Sequence, residues 1–436
     1  MGTSGGGRSS RRVSAAGRLA AVAAILLLAG CSAASVTVSP TIAPSPAPPP
    51  TATPAAVPTT SPNSPTTAPK ATPSSSAPPD GWSAARPIGA AVACTSVTSP
   101  VALVVDGSGG YHVASGCDGR IHYAVSTDAG ATWTETVLQP PADRGELDPQ
   151  LAVDGTTLYL AYTRVGADEG CGSNGTKDLG VWFRSRKLPA GAWSAARQIG
   201  QTDDHVDGLR AVNGTLHLVV ENAADASGLA YETQAGATYH RYALADASGP
   251  SLRVGDDGKA RLVYGSGASL RYATFNGTGF TSAPIAGSEE GWGPDLVLGP
   301  GDVADVLWDR APTGGGCVTR DAEAADGTYF ATNSGGSWQT SRLTQLVGQA
   351  SLTLDPGTGQ VDAVVSGSDE YDVPAVEGFV FFTRSADGTW ASTTLSPTEV
   401  ESPVIRLDPA TGTVLVAYIT TATGGSTSQV MFRARP

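Results

Sequence analysis

The feature that most constrains this chain is an internal repeat. Seven times, a Pro or small residue leads into an alternating apolar segment, a tight turn and a second apolar segment. The repeats start at Pro100, Pro149, Gly208, Pro250, Pro294, Ala350 and Pro403, separated by 42 to 59 residues. That spacing is the length of a four-stranded propeller blade. Asp106, Asp154 and Asn213 are each followed by Gly, the dipeptide that favours the positive φ of a two-residue hairpin. A third strand is expected in every repeat, near Ile121, Gly180, Leu229, Leu270, Thr328, Gly378 and Gln429. A fourth follows in six of them, but the chain ends at Pro436 before the seventh can supply its own.

The missing strand lies at the other end. Residues 81–89 repeat residues 192–200 almost letter for letter, and the second copy is the outer strand of repeat two. The first copy therefore predicts the outer strand of the last repeat, which closes the ring and removes its free edge. The expected fold is all-β, a seven-bladed β-propeller whose last blade is closed by the N-terminal strand; six blades is the alternative count. The predicted domains are 1–30, 31–79 and 80–436.

Residues 1–30 read as an export signal. Arg8, Arg11, Arg12 and Arg18 precede an apolar run over residues 19–30, too short for a permanent transmembrane helix. The run ends Leu28, Ala29, Gly30, Cys31. This resembles the bacterial lipobox, which implies a lipidated Cys31 and attachment to the outer face of the cell membrane. Ser10, Arg11 and Arg12 form an incomplete twin-arginine motif. Residues 31–79, dominated by Pro, Thr, Ser and Ala, form an extended tether; at about 3.1 Å per residue it reaches beyond roughly 100 Å.

The whole chain carries a net charge of −13. Its first 79 residues hold five of the 27 basic residues and none of the 40 acidic ones, so residues 80–436 carry −18. Such a charge disfavours nucleic acid and direct contact with anionic lipid. With Cys31 assigned to lipid, Cys94, Cys117, Cys171 and Cys317 remain, an even number in an exported domain. The expected bridges are Cys94–Cys117 and Cys171–Cys317. No pair has the C-x-x-C spacing of a zinc site.

Ser126, Asp128, Gly130 and Trp133 match the Asp-box pattern fully. Asn333, Gly335 and Trp338 form a variant, and Asp387, Gly388 and Trp390 a shortened one. All three fall between the third and fourth strands of their repeats. There the Asp or Asn bonds turn amides, the Gly takes φ > 0 and the Trp packs the blade edge. Residues 80–436 thus resemble the sialidase-like, Asp-box (BNR) repeat propellers, in which these boxes are structural. Sialidase chemistry as that resemblance implies it needs three arginines, an acid/base Asp and a Tyr–Glu pair. The nearest match to the first arginine motif, Arg86, Pro87, Ile88, is in the wrong order, which favours a non-catalytic relative.

Propeller topology puts the long loops, including residues 164–178, 201–208, 288–294, 309–327 and 366–378, on one face, the top. The expected binding surface is its central mouth, ringed by Asp148, Arg164, Asp207, Glu221, Trp292, Asp309, Arg310, Glu401 and Tyr418. Many such residues only cap turns. Asp203, Asp204, His205 and Asp207 are weak metal candidates, and short acidic loops are more often turns. The expectation is a monomeric binding propeller for glycan or protein, with no cofactor. The alternatives are an exo-sialidase-like glycoside hydrolase and an envelope assembly scaffold.

Overall fold

The computed structural model describes residues 78–79, 81–92, 101–167, 176–222, 228–236, 238–310, 326–369, 376–421 and 427–436. Their strands assemble into seven four-stranded antiparallel sheets. The inner strands are Ala102–Val105, Arg144–Asp154, Asp204–Val212, Ser248–Val254, Gly291–Leu298, Val347–Leu354 and Glu401–Leu407, which we number as blades one to seven. In blades one to six, strand order from the inner edge outward follows the sequence. Blade seven runs Glu401–Leu407, Val414–Thr421, Ser428–Arg435 and then Arg86–Val92. The N-terminal strand closes the last blade, as the duplicated segment predicts. Arg86 opposes Phe432 and Ile88 opposes Val430. The propeller lies in a compact unit spanning residues 73–436; residues 1–72 fall in a second unit, outside the described residues.

The inner strands begin earlier than the repeats suggest. In blades two, four, five and seven the register shifts at the residue before the proline. That residue has positive φ each time: 53° at Asp148, 54° at Gly249, 60° at Gly293 and 50° at Ser402. Proline has no N–H for the ladder. A bulge there lets the segment ahead of it resume pairing on the top side.

The core consists of seven apolar layers, each between two neighbouring blades. Leu103, Leu209, Leu252, Leu296, Leu352 and Ile405 occupy the same repeat position, and each is 2% exposed or less. Six junctions add an aromatic clamp, in which a residue near the outer strand of one blade reaches back to the third strand of the blade before it. The pairs are Trp133 on Phe432, Trp193 on Tyr123, Phe280 on Tyr231, Trp338 on Tyr272, Trp390 on Phe330 and Trp82 on Phe381, with centroids 5.1 to 5.6 Å apart. Such pairs contribute about 0.5–1.5 kcal/mol beyond their area.

The junction of blades two and three has no such pair among the described residues. Apolar packing and one charge-assisted hydrogen bond join these blades, beside an ion cluster internal to blade three. Arg197 donates to Gln234 at 3.1 Å. Beside it, Arg241 pairs with the buried Asp204 at 2.8 Å and with the buried Glu232 at 2.5 Å.

Candidate functional site

The three Asp-box tryptophans are all clamp residues. Asp128 accepts from the Thr132 amide at 2.9 Å and the Ser126 hydroxyl at 2.8 Å. Asp387 accepts from the Thr389 amide at 3.0 Å. Asn333 accepts from the Ala304 amide at 2.8 Å. Gly130 and Gly388 have φ of 80° and 85°; in the variant box Gly336, rather than Gly335, takes the positive φ of 79°. These boxes stitch blades together and lie apart from the axial channel.

The residues expected around the mouth divide by burial. Arg164 is 6% exposed, bonded to Glu146 at 2.5 Å and stacked 3.6 Å over the Trp182 ring. Asp309 is 1% exposed and accepts from the Thr328 hydroxyl at 2.6 Å; burial pushes its carboxyl up to about 7. Tyr418 is 3% exposed and packs on Phe379. These three side chains support the blades rather than line the mouth. Their strand positions fit the mouth, but their side chains turn between the sheets. Glu401 accepts from the Thr421 hydroxyl at 3.1 Å, Arg310 meets Glu290 at 3.4 Å, and Glu221 accepts from the Gly249 amide at 2.5 Å.

His205 is the centre of a charged cluster on the top face. Its Nε2 lies 3.4 Å from Asp148 and 4.0 Å from Asp207, and its Nδ1 lies 3.4 Å from Asp178. Burial lowers the imidazole pKa, but Asp178, Asp207 and Asp148 outweigh it and raise it to about 9. Asp207 is recessed, and burial pushes it up to about 8 against the pull of His205, with Glu221 and Asp148 adding. Asp204 points the other way, into its pair with Arg241. Asp203 sits in a turn at φ 70°. No group of three or more His, Cys, Asp or Glu side chains is placed to hold a metal among the described residues.

The seven inner strands surround the axial channel. Its upper chamber, about 290 Å³, includes Gln150, Asp207, Ser251, Asp295, Gln349 and Ser351 in its wall. Its lower chamber, about 460 Å³, is mostly Val, Leu and Ala. Arg210, Arg253 and Arg406 line both. Sequence reasoning missed these arginines. The available signal was their recurrence one residue after the buried Leu or Ile of repeats three, four and seven, where the other repeats place Val104, Ala152, Val297 and Thr353. The three share one conformation. Each donates Nη1 to the carbonyl of the residue before it, at 2.7, 2.8 and 2.7 Å.

A second concave site lies off the axis, between blades three, four and five. Its volume is about 250 Å³, and its wall holds Trp292, Asp246, Ser248 and six glycines. Trp292 is 44% exposed; Trp292 and Tyr239 are the large apolar side chains exposed among the described residues.

The channel wall contains no Tyr or Glu among the described residues. A Tyr239–Glu232 hydrogen bond does occur, but on the outer half of blade three, beside Arg241. Cys117 is 1% exposed. Cys31, Cys94, Cys171 and Cys317 lie outside the described residues.

No family model matches the sequence, and no curated protein is similar to it. Several solved structures are similar in fold. Trypanosoma rangeli sialidase in complex with sialic acid superposes with a TM-score of 0.48 at 9% identity, covering 78% of this chain and 54% of its own. The chain thus spans about half the length of that enzyme. Virginiamycin B lyase from Staphylococcus aureus gives 0.49 at 12% identity, covering 81% of this chain and 99% of its own. Kuenenia stuttgartiensis hydrazine synthase gives 0.51 at 11% identity, covering 77% and 96%. At such identities the likeness extends to the β-propeller fold and no further.

Proposed function

We propose that this chain is an extracytoplasmic lipoprotein, anchored through Cys31, that uses its propeller to bind a glycan in the cleft at Trp292. One observation carries the glycan reading: a large aromatic ring stands exposed in a concave, glycine-walled cleft beside Asp246. A flat indole suits the apolar face of a sugar ring, and a nearby carboxylate can accept its hydroxyls. The glycines leave room for a ligand to approach the backbone closely. The tether holds this surface away from the membrane. In this reading Cys94–Cys117 and Cys171–Cys317 are disulfides. Nonreduced peptide mapping that joins Cys117 to Cys171 overturns both pairs.

The test is a glycan array probed with the full chain, followed by Trp292→Ala. Saturable glycan binding that disappears in the variant supports the proposal. Binding unchanged by the variant overturns the cleft assignment, and capture of protein but no glycan favours the scaffold reading. Turnover of a fluorogenic sialoside overturns the non-catalytic reading. Cys31→Ser tests the anchor: the variant should leave the membrane fraction.

A further inference from the structure

The domain is strongly acidic, yet its axis is basic. Three arginines converge on the channel from blades three, four and seven. Arg253 is paired with Asp295 at 3.0 Å. That carboxylate is already well supplied: it also accepts from the Ser351 hydroxyl and the Leu352 amide, both at 3.0 Å. Arg210 and Arg406 make no ion pair among the described residues. The other carboxylate in the upper wall, Asp207, sits at the mouth beside His205. The wall of the lower chamber holds three guanidiniums and no Asp or Glu among the described residues. Burial, with the repulsion of Arg253, pulls the Arg406 guanidinium down to about 10 against the attraction of Asp295.

Clustered guanidiniums that are half-buried and largely unpaired are costly in isolation, because each loses hydration without gaining a counter-charge. Each arginine uses Nη1 on a backbone carbonyl, so further N–H groups remain on each fork. Guanidinium forks match oxyanions in shape as well as charge.

We propose that the axial channel is a binding site for a small, doubly charged oxyanion held by Arg210, Arg253 and Arg406. The ligand is an inorganic or organic dianion with phosphate-, sulfate- or dicarboxylate-like oxygens. Asp295, paired with Arg253 and attracting Arg406, offsets one of the three guanidinium charges and leaves two to be balanced by the guest. This site is distinct from the Trp292 cleft and does not rest on it.

The experiment titrates inorganic phosphate, sulfate and succinate into the full chain by calorimetry, at constant ionic strength balanced with chloride. One equivalent of at least one dianion should bind, and the three arms identify which head group the channel prefers. Arg210→Gln and Arg406→Gln should each weaken binding about tenfold, the loss of one charge-assisted contact. Arg406→Lys should recover part of it. The exposed Arg120→Gln should leave it unchanged. A purely structural role is separated by thermal unfolding. For a ligand site, the anion-free Arg406→Gln protein unfolds no lower than the parent, and the anion no longer raises its midpoint. Absence of saturable binding by all three anions overturns the proposal, as does binding retained in the Arg210→Gln, Arg406→Gln double variant.

Discussion

Trp82 packs edge-on against Phe381, with ring centroids 5.1 Å apart and planes at 72°. Trp82 lies just ahead of the strand that closes blade seven, and Phe381 belongs to the third strand of blade six. The pair fastens the segment just ahead of the closing strand to the blade before the closure. Trp82 is 6% exposed, and truncating a buried Trp costs about 3–5 kcal/mol. Trp82→Ala should therefore lower stability by about that amount in chemical denaturation, while Trp82→Phe should lose less. Equal stability of Trp82→Ala and the parent would show that closure does not need the clamp.

The glycine of the full Asp-box is required by its neighbour as well as its backbone. A Cβ on Gly130 would lie 2.2 Å from the Phe432 ring, at φ 80°. Gly155 also has positive φ, 55°, but open space around it. Gly130→Ala should thus be the more destabilising of the two by at least about 1 kcal/mol, the overpacking contribution. Denaturation midpoints of the two variants, with slopes compared, decide it.

The buried ion cluster of blade three should be fragile toward loss of Arg241. Arg241→Met strands Asp204 and Glu232 together in a buried site, and removing one partner of such a group costs about 3–5 kcal/mol. Burial already raises the Glu232 pKa, against the pull of Tyr239 and Arg241. An acid with a raised folded pKa is favoured at low pH and opposes folding as pH rises through that value. The Arg241→Met deficit should shrink as pH falls toward the ordinary carboxylate range, and adding Glu232→Gln should recover part of it at neutral pH. A deficit independent of pH would contradict this.

His205 makes stability depend on alkaline pH. Its folded pKa, about 9, lies above the 6.5 of an ordinary imidazole. A cation with a raised folded pKa stabilises fully below the unfolded value, and the effect is lost as pH rises through the folded one. Asp207, pushed to about 8 from the ordinary 3.8, acts in the same direction, its loss of stability already under way at lower pH. The melting temperature should fall between roughly pH 6.5 and 9, and His205→Gln should flatten that fall. Scans of both proteins across the range suffice.

Blade number and closure were legible in the sequence because both are matters of repetition. Residues 81–89 and 192–200 are near copies, and the copy alone placed the first strand beside the last. The mouth was less legible. Arg164, Asp309 and Tyr418 sit at the right strand ends, yet they turn inward to Trp182, Thr328 and Phe379. Period-two reasoning assigns a side chain to a face but does not say whether the neighbouring blade covers it. The channel arginines were hidden for a related reason. An inner strand has a third environment, the axis, which alternation does not label. An Arg among apolar residues there reads as outward-facing when it is in fact central.

The pairing of Arg86–Val92 with Ser428–Arg435 also sets an order of events. Gln429 and Ile88 bond across 341 positions of sequence, so the earliest strand to be made waits for the latest. Contacts this remote carry a loop-closure cost and slow folding. During synthesis, six blades can form while Arg86–Val92 stays unpaired, and the ring is complete only when Ser428–Arg435 arrives. A chain that loses Ser428–Arg435 loses the docking place of Arg86–Val92 as well, so loss of either strand opens the same seam.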